Sequence, residues 1–349
     1  MLYRDALLES MRSTLESNPK SLILGQGVSD FKGTFGSTAG LVDEFGSDRV
    51  VDTPLSEEAV TGVGVGLALA GHYPVMTHIR LDFALLCMNQ IVNMAAKYRY
   101  MFGGKHNVPL LIRLVVGRSW GQGAQHSQSL QSLFAHIPGL TVIMPSTSQA
   151  VLEYYAFATS RWSDPVISIE HRLLYELDFE TDGAPHTGVP WKPRIVQSGD
   201  DVTVVATSIM VLEARRAADY VRENHGISVE VIDLGCVSTI ERETLIKSLD
   251  KTRRLVVADT SWDSYGVCAE ISRIVVESDP GVLEGPAKFV SPVFTPCPTA
   301  KALEDKFYPD QVSMVRAILE TTLRRGVVAS DLPNHESFRD YYSHFRGPF

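Results

Sequence analysis

The sequence is poor in the residues that build metal sites and disulfide frameworks. Its four cysteines, Cys87, Cys236, Cys268 and Cys297, stand far apart and form no CxxC pair. That spacing excludes a zinc ribbon or a disulfide scaffold and reads as small core residues in a reducing compartment. Basic blocks are missing too. Lys and Arg number 32 against 41 Asp and Glu, a formal charge of −9, which argues against nucleic acid as a partner. No apolar run reaches the roughly 18 residues that span a bilayer, and the N-terminal stretch lacks the charged and apolar regions of a signal peptide. A soluble, cytoplasmic protein without a membrane partner is expected. P-loop and HExxH motifs are also absent, which removes the chemistries they serve.

What is present is an α/β order. At 349 residues, 44% of them hydrophobic, the chain has the material for about two cores. Strands are expected at residues 21–24, 50–51, 73–79, 109–116, 140–144 and 165–169. Helices are expected at 3–17, from 56 onward, and at 82–101, 130–136 and 149–160, with a short one ending at Gly46. Residues 109–116 read as a continuous apolar run, the pattern of a parallel sheet covered on both faces. This predicts an α/β domain with a mainly parallel sheet over residues 1–180. Residues 181–200 turn to Pro, Gly, His and Trp without periodicity, as in a linker. A second α/β domain is expected over 201–325, and 326–349 form an aromatic, charged C-terminal extension.

One stretch, residues 50–71, organises the first domain. Its β-branched start suits the end of a buried strand, which Asp52-Thr-Pro54 breaks, since Pro cannot join a ladder. Ser56 is a natural N-cap, followed by Glu57 and Glu58 in the first turn, where the helix dipole favours negative charge. Gly62, Gly64, Gly66 and Gly71 come next. Each glycine within a helix costs about 1 kcal/mol against alanine, so such a helix implies close packing against another backbone. A capped structural helix and a subunit contact both fit the pattern.

Other candidates fall just after strands, where open α/β sheets place ligands: Gln26, Phe83 and His126, besides Glu57. Singly, each has an ordinary explanation: a helix-terminus carboxylate, a core aromatic, a solvated loop histidine. Together they occupy comparable positions within one domain.

The motifs go further. Asp52-Thr-Pro-Leu-Ser-Glu57, Gln90-Ile-Val-Asn-Met-Ala-Ala-Lys97 with Tyr100-Met-Phe-Gly-Gly104, Ala124-Gln-His-Ser-Gln128 and Pro138-Gly-Leu-Thr-Val-Ile-Met-Pro145 stand in order. They resemble the β subunit of the E1 component of 2-oxoacid dehydrogenase complexes, thiamine-diphosphate enzymes of the transketolase-like superfamily acting on pyruvate or branched-chain 2-oxoacids. The likeness continues through Ser261-Trp262, Gly266-Val-Cys-Ala-Glu270, Pro296 and Pro298, covering about residues 1–325.

The resemblance implies a pyrimidine-binding parallel-sheet domain followed by a transketolase C-terminal-like α/β domain. It implies that Glu57 bonds N1′ of the cofactor's aminopyrimidine, that Phe83 stacks on that ring and that Ile79 forms an apolar wall beside it. Gln26 borders the same site, and His126, Gln125 and Arg80 lie on the substrate side. The reaction implied is decarboxylation of a 2-oxoacid with acyl transfer to a lipoyl-E2 partner. A split transketolase-like enzyme, moving a ketol or acyl unit between ketose or 2-oxoacid substrates without oxidation, is the alternative.

Thiamine enzymes of this kind hold the diphosphate through Mg²⁺ with a Gly-Asp-Gly motif, and the chain has none. A diphosphate needs a metal and oxygen ligands. A separate α chain holding Mg²⁺ is therefore expected, in an α₂β₂ heterotetramer with the glycine-rich helix at a subunit contact. The analogous family loop suggests a structural K⁺ near residues 161–164. Three departures stand out: Gln26 where the family is usually acidic, Thr77 for a frequent glutamate, and Arg80 for a frequent Phe or Thr. A neutral Gln26 cannot carry a proton between cofactors. Arg80 fits either a second anionic group on the substrate or a subunit salt bridge.

Overall fold

A computed structural model describes residues 1–117, 121–181, 188–322 and 326–334. They fall into two units, one made of Met1–Gly117 and Gln125–Trp191, the other of the remaining described residues.

The first unit is built on six strands: β1 (Ser21–Gly25), β2 (Val50–Asp52), β3 (Tyr73–His78), β4 (Leu111–Val116), β5 (Thr141–Ile143) and β6 (Val166–His171). They form one sheet in the order β2-β1-β3-β4-β6-β5, and every pairing is parallel. Its helices are α1 (Tyr3–Ser17), α2 (Leu41–Phe45), α3 (Glu57–Leu69), α4 (Ala96–Met101), α5 (Gln131–Ala135) and α6 (Ser148–Arg161). Every residue of β3, β4 and β6 is buried, which is why these segments read as unbroken runs and not as alternation.

Arg113 is the exception inside that apolar expectation. It lies fully buried in β4 and donates to both oxygens of Glu170 on β6, each at 2.8 Å. Its Nη2 also reaches Ser37 Oγ at 2.9 Å, tying the loop after β1 to the sheet. The phenols of Tyr155 and Tyr175 donate to the same carboxylate. Burying a charge is tolerated where its opposite and several hydrogen bonds surround it.

Two expectations for this unit need correction. Ser56 stands at the N-cap of α3 but its side chain makes no capping bond; this end of the helix is exposed, where water can serve its N–H groups. The single helix expected at 82–101 changes geometry along its length. It is a 3₁₀ helix over Leu81–Cys87, α-helical for Met88 and Asn89, π-helical over Gln90–Ala95 and α-helical again in α4. The cause lies in which residues turn inward. Leu81, Ala84 and Cys87 are fully buried, a spacing of three that matches three residues per turn.

The second unit holds β7 (Arg194–Gln197), β8 (Val202–Ala206), β9 (Val229–Asp233), β10 (Leu255–Ala258) and β11 (Lys288–Val290). The order is β11-β10-β8-β9-β7, parallel except for β7 against β9. Its helices are α7 (Ile209–His225), α8 (Arg242–Thr252), α9 (Val267–Ser278), α10 (Lys301–Phe307) and α11 (Gln311–Thr322). β7 falls inside residues 181–200, read from sequence as a linker. It is a short edge strand with a register irregularity between Ile195 and Gln197, and so leaves no periodic trace. Five of the eleven residues of α8 are charged, and only Leu245, Ser248, Leu249 and Thr252 turn inward. The aromatic residues of the extension, Phe338, Tyr341, Tyr342 and Phe345, lie outside the described residues. Among the described residues no helix is long and apolar enough to cross a membrane.

Candidate functional site

The carboxyl ends of β1, β2 and β3 bring the first group together. Gln26 directly follows β1, and Glu57 opens α3 five residues after β2 ends. Asp52, at the end of β2, accepts the backbone N–H of Gly27 at 2.9 Å, while Thr53 N–H reaches Gly25 O at 3.1 Å. The residues on both sides of Gln26 are thus pinned to the turn before Glu57. Gln26 Nε2 then donates to Glu57 Oε1 across a long 3.4 Å. Glu57 is half-buried, whereas Glu58 is exposed and accepts from Gln90 Nε2 at 3.1 Å. The two neighbouring carboxylates serve different faces.

Behind Glu57 lies His78, the last residue of β3, which sequence reasoning did not single out. It is 7% exposed, and its Nε2 is 3.5 Å from Thr61 Oγ1. Thr61 sits one helical turn beyond Glu57 on the same face of α3. Burial pushes the His78 imidazole down to about 4, partly opposed by the nearby Glu57 carboxylate, so it is neutral at physiological pH. Gln26, Thr53, Glu57 and His78 border a cavity of about 10 Å³, room for roughly one water. The Thr77 hydroxyl is buried and makes no hydrogen bond.

The second group follows β3 and β4. Phe83, in the 3₁₀ segment, and His126, in the loop after β4, meet edge-on with ring centroids 5.2 Å apart. Both are half-buried. Asp82, another residue the sequence left unmarked, is 7% exposed and accepts from Gln128 through its backbone N–H (3.2 Å) and its side-chain amide (2.9 Å). Burial raises the Asp82 carboxyl above its usual range, against the opposing pull of the Gln128 donors and of His126. Ile79 is half-buried at the end of β3, and Gln125 is exposed. Arg80 is 9% exposed; its Nη1 donates to Ile79 O at 3.1 Å, and its guanidinium lies 5.8 Å from the Phe35 ring centre. Gln26 and Glu57 are therefore one contact pair, Phe83 and His126 another.

A polar pair and an aromatic pair at the carboxyl ends of one parallel sheet suit a flat, partly basic ring ligand. Comparison with known proteins agrees. Residues 1–177 match the family model "Transketolase, pyrimidine binding domain", and residues 192–314 match "Transketolase, C-terminal domain". The pyruvate dehydrogenase E1 component subunit beta of Saccharomyces cerevisiae mitochondria is 34% identical, over 92% of this chain and 88% of that protein. The β subunit of the acetoin:2,6-dichlorophenolindophenol oxidoreductase of Cupriavidus necator is 36% identical, over 90% of this chain and 96% of its own length.

The chain belongs to the E1 β-subunit family.

A solved structure described as "Split gene transketolase, inactive beta4 tetramer" matches this E1 β-type chain with a TM-score of 0.75 at 22% identity, covering 93% of this chain and 99% of that one. It supports the two-domain fold. The pyrimidine-binding domain marks the E1 β-type chain as part of a thiamine-diphosphate-dependent enzyme. The donor set fits the pyrimidine half of such a cofactor: a half-buried carboxylate for a ring nitrogen, an amide beside it and an accessible aromatic face.

Proposed function

We propose that the chain is the β half of an enzyme that decarboxylates a 2-oxoacid and passes the acyl group to a lipoyl group on an E2 partner. It works with an α-type chain, in an α₂β₂ assembly in the cytoplasm. The observation that carries this reading is Glu57, half-buried in the first turn of α3 beside Gln26, in a chain with no Gly-Asp-Gly motif for the diphosphate.

Glu57 holds a proton at N1′ of the aminopyrimidine, a task for which a carboxylate in a partly desolvated pocket is suited. Phe83 offers its face to the pyrimidine, an offset contact worth about 1 kcal/mol, and Ile79 excludes water at its edge. His126 exchanges a proton with the substrate oxygen, as an imidazole can, with Gln125 and Arg80 on the same side. When bound, the cofactor supplies the electron sink for cleaving the bond next to the substrate carbonyl. The α chain brings Mg²⁺ and the diphosphate half. A structural K⁺ near residues 161–164 would rest on backbone carbonyls, since the Asp164 carboxylate is engaged by Arg99 at 2.6 Å.

Exchange of the C2 proton of thiamine diphosphate bound to the reconstituted complex tests the reading. Glu57→Ala should abolish it and Glu58→Ala should leave it intact; undiminished exchange in Glu57→Ala removes the trigger. Tight binding of thiamine diphosphate and Mg²⁺ by the isolated chain would sink the two-chain assignment. The neutral Gln26 against Glu57 favours a second reading, a split transketolase-like transferase. Turnover that needs no lipoyl acceptor would select it.

A further inference from the structure

Residues 127–130 belong to neither helix nor strand, and 124–126 form only a turn. No backbone ladder therefore determines where His126 points. The adjacent residues Asp82 and Phe83 do. Phe83 meets the imidazole edge-on. Asp82 Oδ1 takes two hydrogen bonds from Gln128, two residues further along the loop. A carboxylate acceptor shielded from water holds its donors more firmly than a neutral, solvated one. Asp82 is itself anchored, because Leu81 and Ala84 on either side of the pair are fully buried.

We propose that Asp82 is a positioning residue for His126: it latches the loop after β4 through Gln128 and keeps the imidazole against Phe83. The inference rests on the reading of His126 as the substrate-side residue. Asp82 touches neither substrate nor cofactor in this role. Both bonds land on the same oxygen, so the acceptor matters more than the charge. Asparagine can keep both bonds through its one carbonyl oxygen; alanine keeps neither.

The latch is tested first on the full-length chain alone, by hydrogen exchange at the Gln128 amide. Asp82→Ala should speed exchange by about tenfold or more, while Asp82→Asn should stay near wild type. Unchanged protection in Asp82→Ala overturns the latch. In the complex with the α-type chain, Asp82→Ala should lower kcat on the order of 10²-fold, the scale of a small misplacement, with KM within a few-fold and Asp82→Asn restoring most of the rate. Added to His126→Ala, the same change should cost nothing further, because residues acting as a unit are non-additive. An equal loss in both backgrounds would show that Asp82 acts elsewhere and would overturn the proposal. The exchange result supports or overturns the latch even if His126→Ala is fully active, an outcome that would instead remove His126 from the proposed mechanism.

Discussion

Phe83 and His126 meet at 85° with 5.2 Å between ring centroids, joining a residue proposed for the cofactor to one proposed for the substrate. Aromatic contacts of this kind are worth about 0.5–1.5 kcal/mol beyond burial. Phe83→Ala in the complex should raise the Kd for thiamine diphosphate by about fivefold, corresponding to roughly 1 kcal/mol. Calorimetric titration checks this, and an unchanged Kd would take Phe83 out of the pyrimidine site.

His78 predicts an acid-sensitive stability. In the unfolded chain its imidazole takes a proton near its usual pKa of about 6.5, whereas the folded protein refuses it until about 4. Between those values the unfolded state binds more protons, so stability falls as pH drops through the window. The full loss from this group is about 3 kcal/mol. Urea unfolding at a series of pH values from 7 to 4 should show the decline, and His78→Phe should flatten it. An equally steep slope in the variant would assign the effect to other groups.

The glycines of α3 divide into two kinds. A Cβ on Gly64 would stand 2.2 Å from Met76 Sδ, and Met76 is buried within this same chain. Gly64→Ala should therefore destabilise the isolated chain by about 1–3 kcal/mol through overpacking. A Cβ on Gly66 would meet nothing within 4 Å outside its own helix, so Gly66→Ala should stabilise the isolated chain by up to about 1 kcal/mol through helix propensity. If this face seats the α-type chain, Gly66→Ala should at the same time weaken assembly. Thermal unfolding of the chain and sedimentation of the complex separate the two effects, and unimpaired assembly would free this face from the interface.

The buried Arg113–Glu170 pair sets a stability prediction away from the chemistry. Glu170→Ala leaves the guanidinium uncompensated and removes the acceptor for Tyr155 and Tyr175. Losing one partner of such a pair costs about 3–5 kcal/mol. Urea denaturation measures it, and a loss below about 1 kcal/mol would mean that water reaches Arg113.

Local pattern carried the parallel-sheet domain, because strands buried on both faces cannot hide their apolar runs. Glu57 and His126 stood out as candidates because the motifs around them are contiguous in the chain, and Phe83 because it follows a strand. Edge strand β7 and the charged helix α8 left no such trace: one buries little, and the other shows a polar surface along most of its length. His78, Asp82 and Arg113 escaped for another reason. Each is a polar residue whose meaning depends on a partner distant in sequence or in another element, Glu57, Gln128 and Glu170 respectively.

Residue types and their spacing thus determined, without coordinates, an α/β chain whose carboxylate, aromatic and histidine follow successive strands. Only the tertiary structure decided which of them meet. Parallel strands bring their carboxyl ends side by side whatever the length of chain between them, so Gln26 reaches Glu57 and Phe83 reaches His126 through the sheet. Burial then set the charge state of His78, because desolvation is a property of the folded surroundings and not of the residue.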